Sequence, residues 1–245
     1  MKDDLEQLLN NLHLRKIAEI FDEQAAKADT EGLSYGTFFA RLLRAEWQNR
    51  QESALAWRIK NAGLPEQWTL ESFPWKRQPG VSQKQIRGFA DLDFIAKAEN
   101  IVFIGPPGVG KTGLASGLLL KALQNGHRGL SFRAQDLFDE MYASLADRSS
   151  RKLLNRLSRV DVLVVDELGF LNLKPEQTNI FFKLMEERYG KAATIITTNL
   201  EYEDWYSFLG QKEMVGALLD RLRHRCHTVR IDGVSLRTPD PNLAA

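Results

Sequence analysis

Cysteine is nearly absent from this 245-residue sequence: Cys226 is the only one. No disulfide can close within the chain, so a reducing compartment, the cytoplasm, is expected. Long apolar runs are missing too, and none approaches the roughly 20 residues of a membrane-spanning helix. The first residues, Met1-Lys2-Asp3-Asp4-Leu5-Glu6, are acidic and hold no apolar signal core, so export is not expected. An excess of charge of one sign is also lacking. Lys and Arg number 33 against 32 Asp and Glu, a formal net charge of +1, so any contact with nucleic acid must come from local patches. What remains, 43% hydrophobic and 27% charged, is the composition of a globular protein with length for one large domain, or a large and a small one.

One stretch organises the rest. Gly105-Pro106-Pro107-Gly108-Val109-Gly110-Lys111-Thr112 fits G-x-x-x-x-G-K-[ST], a loop that wraps a nucleotide polyphosphate in backbone N–H groups. Side chains would block that approach, so glycines recur, and they also allow positive φ. The helix that follows offers free N–H groups and partial positive charge. Lys111 can reach the β- and γ-phosphates, and the Thr112 hydroxyl can ligate Mg²⁺. The context fits. Ile101-Val102-Phe103-Ile104 reads as a buried strand before the loop. Leu114, Ala115, Leu118, Leu119, Ala122 and Leu123 recur at helical spacing after it, with Gly126 as a stop.

Upstream, residues from about Leu5 to Leu64 read as helical. Leu8, Leu9, Leu12, Ile17, Ile20 and Phe21 form an apolar face, and a break follows at Asp29-Thr30-Glu31-Gly32. Tyr35, Phe38, Phe39, Leu42 and Leu43 start another helix that carries Trp47 and stops at Gly63-Leu64-Pro65. It bears Arg41, Arg44, Arg50, Arg58 and Lys60 against Glu46 and Glu52, which suits either a phosphate backbone or an ordinary solvated face. Phe73-Pro74-Trp75-Lys76-Arg77-Gln78-Pro79-Gly80 is turn-rich and reads as a linker or the approach to the nucleotide domain. Trp75 or Phe73 can pack on an adenine ring, although ordinary core packing is the commoner role.

Downstream, Gly129-Leu130-Ser131-Phe132-Arg133 is a candidate strand, and Gln135 to Leu145 a helix. Arg148, Arg151, Lys152, Arg156 and Arg159 then follow with no acidic residue between them, a patch for DNA, a neighbouring subunit or solvent. Val162-Leu163-Val164-Val165-Asp166-Glu167 is a buried strand delivering two carboxylates at its C-terminal end, where ligands of open parallel sheets sit. Asp166 can join Thr112 in the Mg²⁺ shell. Glu167 can orient and deprotonate a water, which favours hydrolysis over phosphotransfer. Ala193 to Thr198 is another strand, and Asn199 at its end can position that water. Glu213 to Arg225 reads as a helix in which Arg221 can act as an arginine finger, and Thr228 to Ile231 as a last strand. Arg237 lies just beyond and can reach the γ-phosphate. His224, Cys226 and His227 lack further ligands nearby to complete a metal site.

These residues resemble the AAA+ ATPase family, and more closely its IstB-like ATP-binding proteins, the transposition helpers of insertion sequences, with their relatives the DnaC-type helicase loaders. The resemblance runs through Gly105–Thr112, Val165-Asp166-Glu167-Leu168-Gly169-Phe170, Thr198-Asn199 with Trp205, and Leu219-Asp220-Arg221-Leu222 to Ser235-Leu236-Arg237. Glu46-Trp47 and Arg58 are similar to its N-terminal region. It implies Walker A at Gly105–Thr112, Walker B at Asp166 and Glu167, sensor one at Asn199, a trans-acting arginine at Arg221 and a sensor-two-like arginine at Arg237. Two positions depart from it. Gly113 stands where the family commonly has His, and Leu236 where an aromatic residue usually precedes the last arginine.

The fold expected is therefore an α/β AAA+ P-loop domain, a three-layer parallel sheet with a reduced or absent lid. It spans residues 71–245, behind a small all-α N-terminal domain of residues 1–70. The expected cofactors are ATP and Mg²⁺. The expected partners are duplex DNA, met mainly at its phosphate backbone, a cognate transposase, and further copies of the chain with ATP sites at subunit interfaces; no membrane is involved. The activity expected is ATP-dependent DNA binding and remodelling that assists a transposase in target selection. A DnaC-like replicative helicase loader is the alternative. A small-molecule P-loop kinase is disfavoured, since Glu167, Asn199 and Arg221 serve water attack and a kinase must exclude water.

Overall fold

A computed structural model describes residues 2–65, 68–169, 173–210 and 212–237; Met1, Phe170 and the tail beyond residue 237 lie outside them. The chain divides into two compact units, residues 1–57 and 58–245. The sequence reading puts a boundary near residue 70, but residues just after 57 are tied to the later part of the chain. Ala62 O accepts from Ser131 N at 2.6 Å, and a Cβ on Gly63 would meet Ser131 O at 2.8 Å.

The first unit is helical. The apolar face from Leu8 to Phe21 is shared between α1 (Lys2–Asn11) and α2 (Arg15–Glu31) rather than lying on one helix. His13 takes φ 56°, and Leu14 N and His13 N bond back to Leu9 O at 2.8 Å and Asn10 O at 3.0 Å, a Schellman stop. Helix α2 runs on through Asp29, Thr30 and Glu31, which the sequence reading put in a break, and ends at Gly32 with φ 62°. Its start is unusual. The N-cap, Leu14, has no side-chain acceptor. The carboxylate of Glu46, on α3 (Tyr35–Asn61), accepts instead from Lys16 N at 2.9 Å and Ile17 N at 3.3 Å. Arg50 holds the other oxygen at 2.8 Å and reaches His13 O at 2.9 Å. A buried residue 29 positions away thus caps the helix. Arg41 is likewise paired, with Glu31 at 2.8 Å. The basic surface counted on α3 is therefore partly spent inside the unit.

In the second unit the chain runs through a 3₁₀ turn (Trp75–Arg77), α4 (Gln83–Ala90) and α5 (Asp93–Ala96) to β1 (Asn100–Ile104). It continues with α6 (Lys111–Gln124), β2 (Gly129–Arg133), α7 (Ala134–Ala146), α8 (Ser150–Ser158), β3 (Val162–Leu168), α9 (Pro175–Arg188), β4 (Ala193–Thr198), α10 (Trp205–Leu209), α11 (Lys212–His224) and β5 (Cys226–Arg230). The strands form one sheet in the order β2-β3-β4-β1-β5, and all pairs are parallel. Each crossover carries at least one helix, so the central strands are covered on both faces and read as continuous apolar runs. Every residue of β1 and β4 is buried. Helix α6 buries Leu114, Leu118, Leu119 and Leu123 almost completely; at roughly 2 kcal/mol per buried leucine this wedge is a main contributor to the core. Trp205 is fully buried in a core cluster with Val102, Leu163, Phe181 and Leu218.

Arg188, 1% exposed, is an unexpected core residue. Its guanidinium donates to Leu157 O at 2.6 Å, Val160 O at 3.0 Å, Thr194 Oγ1 at 3.1 Å and Ala193 O. Burial pulls its pKa down to about 10, yet the charge is kept because carbonyls at the C-terminal end of α8 receive it. It ties α8 and α9 to the start of β4. Among the described residues no helix follows β5.

Candidate functional site

The parallel register places the C-terminal ends of β1, β4 and β3 side by side: Ile104 faces Thr198, and Leu168 faces Thr198 on the other side. The loop Gly105–Thr112 leaves β1 there and turns into α6. Gly108 and Gly110 have φ of 84° and 97°, where a side chain is strained. They are also hemmed in: a Cβ on Gly108 would meet Ser235 Oγ at 2.2 Å, and one on Gly110 would meet Phe73 at 2.7 Å and Leu236 at 3.0 Å. Gln78, fully buried, donates from Nε2 to Val109 O at 3.0 Å and Val234 O at 3.3 Å. Leu236 N donates to Gly108 O at 2.8 Å. The loop is thus held between the 73–81 segment and the 231–237 arm. Phe73 is core packing beneath it, 3% exposed.

Within the loop, Lys111 Nζ donates to Gly105 O at 2.7 Å and Pro106 O at 2.8 Å. Burial, helped by the charge of Arg237, lowers its pKa, while Asp166 and Glu167 act the other way. Thr112 Oγ1 lies 2.9 and 3.1 Å from the two oxygens of Asp166. Thr197 Oγ1, on the neighbouring strand, donates to Asp166 Oδ1 and accepts from Glu167 N at 2.9 Å. Burial raises the Asp166 carboxyl above the usual range despite these hydrogen bonds, and the charge of Glu167 adds to the rise. A hydroxyl beside a buried, anion-disfavouring carboxylate is a hard-oxygen pair that a cation would relieve. Mg²⁺ needs only one or two such protein ligands when phosphates supply the rest, so the donor set fits that ion.

Glu167 sits in a bulge where the β3–β4 register shifts, and its φ of 59° is left-handed. Its carboxylate reaches Arg133 Nη2 at 3.0 Å. Asn199 follows β4 directly; its Oδ1 is buried with no hydrogen-bond partner among the described residues, and a Cβ on Gly169 would come within 3.0 Å of it. Arg237 is exposed on the arm close enough to Lys111 to perturb it. Lys111, Thr112, Asp166, Glu167, Asn199 and Arg237 are therefore gathered at one end of the sheet.

Arg221 is not among them. It lies on α11 with Nη2 3.6 Å from Glu186, beside a cleft lined by Asn100 and Thr194 at the N-terminal ends of β1 and β4. The five residues of β1 separate the two ends by about 13 Å. The other cations of interest cluster elsewhere again: Arg148, Arg151, Lys152, Arg156 and Arg159 line one shallow concavity on and around α8, together with Asn155. His224 bonds to Tyr189, His227 to Glu99 and Cys226 to Tyr202, each in its own contact.

Sequence reasoning missed Thr197, Arg133 and Gln78. Thr197 had a weak signal, a hydroxyl run at the end of an apolar strand. Arg133 had none without the strand order, which pairs it with Asp166.

Comparison with known proteins agrees with this geometry. Residues 7–244 match the family described as IstB-like ATP-binding protein. A protein of insertion sequence IS21 from Pseudomonas aeruginosa, described as ATP-binding, is 38% identical over 98% of this chain and 91% of its own length. Its counterpart in IS5376 of Geobacillus stearothermophilus is 33% identical over 99% and 97%. Among solved structures, the DnaC helicase loader is 28% identical with a TM-score of 0.54, over 61% of this chain and 88% of that one. The five-stranded parallel sheet with its phosphate loop is an AAA+ nucleotide-binding domain preceded by a helical region, and the chain belongs to the family of IstB-like ATP-binding proteins.

Proposed function

We propose that this chain is a Mg²⁺-dependent ATP hydrolase that assembles on duplex DNA and assists the transposase of an insertion sequence. The observation that carries the reading is the division of the catalytic set. The groups read as phosphate, metal and water ligands stand at one end of the sheet and Arg221 at the other, which supports a reading in which Arg221 serves the site of a second copy.

Lys111 would exchange its two carbonyl acceptors for phosphate oxygens, at little cost because both states satisfy the ammonium. Thr112 and Asp166 would hold Mg²⁺, which supplies neutralising charge to the phosphates. Glu167 would leave Arg133 to orient and deprotonate the attacking water, and the unpartnered Asn199 Oδ1 offers that water a second acceptor. Arg221 of a neighbouring copy would stabilise the transition-state charge, and Arg237 would contact the γ-phosphate within its own chain. The cationic concavity around α8 suits a phosphate backbone, with little base reading. On α3, Arg41 and Arg50 are already paired, whereas in this concavity Arg156 pairs with Glu140. Relatives encoded in insertion sequences support the transposase as partner.

The likeness to the DnaC helicase loader favours a second reading, loading of a replicative helicase. Sizing and DNA binding with duplex or single strands, under ATP, ADP or no nucleotide, separate the two. A large ATP-dependent complex on duplex DNA is expected, and it should be trapped by Glu167→Gln, which binds ATP but turns over poorly. A single-strand preference, or no DNA binding without a helicase, would overturn the transposition reading. Normal turnover by the Gln variant would remove Glu167 as the base.

A further inference from the structure

The free amides at the start of α6 form a row with two distinguishable ends. Leu114 N already donates to Gly110 O at 3.0 Å, so the amides of Lys111, Thr112 and Gly113 are those without a partner inside the helix. Lys111 and Thr112 lie toward Asp166 and Glu167. On the reading above, that is the γ end of the triphosphate. Gly113 is the far end, so the α-phosphate meets its amide, and sugar and base must lead away past residue 113.

The side chain waiting there is Trp68. A Cβ built on Gly113 would lie 3.1 Å from both Cδ2 and Cε3 of the indole, so the ring rests against the bare glycine. Trp68 is half-buried, and its ring lies 6.3 Å from that of Phe73. Phe73 lies under Gly110, with its ring 4.6 Å from that of Trp75. Trp75 donates from Nε1 to Leu70 O at 3.0 Å and lines a groove toward α4 with Gly117 and Leu120. The residue at 113 thus has a reason to be glycine: a larger side chain would take the place of the indole.

We propose that Trp68 is the base-stacking residue of the nucleotide site and that Gly113 makes the room for it; this rests on the phosphate-loop reading of Gly105–Thr112. An indole face offers a large apolar surface and a quadrupole to a purine, and it reads overlap area more than hydrogen-bond pattern. Stacking should favour purine over pyrimidine triphosphates. It should contribute nothing to a ligand without a base.

The test is calorimetric titration of the full chain, with Mg²⁺, using ATP and inorganic tripolyphosphate. Trp68→Ala is expected to weaken ATP roughly ten-fold and leave tripolyphosphate unchanged. Equal weakening of both ligands, or of neither, overturns the proposal. Trp68→Phe, a gentler change should the alanine variant not fold, keeps a ring and should bind ATP within about three-fold of the parent. In the parent, ATP but not tripolyphosphate should quench tryptophan emission, and Trp68→Phe should lose most of that quench; an undiminished quench overturns the proposal. Lys111→Ala separates the underlying reading. It should weaken both ligands, and if it changes neither, the phosphate-loop assignment falls and the role of Trp68 falls with it.

Discussion

Removing Arg133 should make the protein a faster ATPase in the absence of DNA. Its guanidinium holds Glu167 at 3.0 Å, and the two side chains are 66% and 40% exposed. A pair this wet contributes about 0–1 kcal/mol. Glu167 is also held in a left-handed conformation, φ 59°, which costs a non-glycine residue about 1 kcal/mol, and the Thr197 bond to its amide helps offset that. The carboxylate is thus held by a weak contact that, on the role proposed for Glu167, water attack on ATP would have to break. If breaking it is part of the barrier, Arg133→Ala raises the rate by at most about five-fold, the factor that 1 kcal/mol represents at 298 K. The assay is steady-state phosphate release with saturating Mg²⁺ and ATP and no DNA. High salt should bring the parent toward the variant, because screening at 1 M acts over about 3 Å. A fall to a tenth or less of the parent rate would refute the reasoning and make Arg133 a participant in the transition state.

Two other perturbations test the frame around the site. Burial alone would raise the Glu46 carboxyl, but its hydrogen bonds from Arg50 and the amides of Ile17 and Lys16 outweigh that and hold its pKa below the usual range. Its stabilisation is therefore present above the unfolded value of about 4.3 and is lost as pH falls through the lower folded value. Glu46→Gln should cost about 1 kcal/mol at pH 7 and less near pH 3; melting curves that show the same loss at both would refute the capping role. Arg221→Ala should leave ATP affinity of the isolated chain unchanged while lowering turnover of the assembly by about 10³-fold or more. Parent-like turnover excludes a finger.

What could be read from the sequence was what chemistry constrains locally. Backbone wrapping of phosphate dictates the residue types from Gly105 to Thr112, and burial on both faces makes β1, β3 and β4 continuous apolar runs. What could not be read depends on which strands lie side by side. Arg133 meets Glu167 and Thr197 meets Asp166 because β2, β3 and β4 are neighbours, over sequence separations of 34 and 31. Glu46 was counted with the solvated charges of its helix because helical spacing cannot show a carboxylate turned toward the start of another. Helix α9 went unread although its pattern is helical: Glu176, Asn179, Lys183 and Glu186 are exposed at three- and four-residue spacing, with Ile180, Phe181, Phe182, Leu184 and Met185 buried between them. The glycine at 113 read as a weakened helix start, costing up to about 1 kcal/mol relative to alanine. Only the position of Trp68 turns that cost into a use of space.

The separation of Arg221 from Lys111 also constrains any assembly. On the proposed roles, Arg221 at the N-terminal edge of the sheet serves a nucleotide held at the C-terminal edge of another copy. If each copy gives its arginine to one neighbour and receives one from a different neighbour, the contact is heterologous, and repeating it gives a closed ring if the rotation per subunit divides a full turn and an open helix if it does not. If two copies exchange arginines, each Arg221 meets the other's site and the contact is an isologous two-fold pair. In either case turnover that depends on Arg221 should rise with protein concentration faster than linearly, until those contacts are saturated, and the size of the saturated assembly separates the pair from the ring or helix.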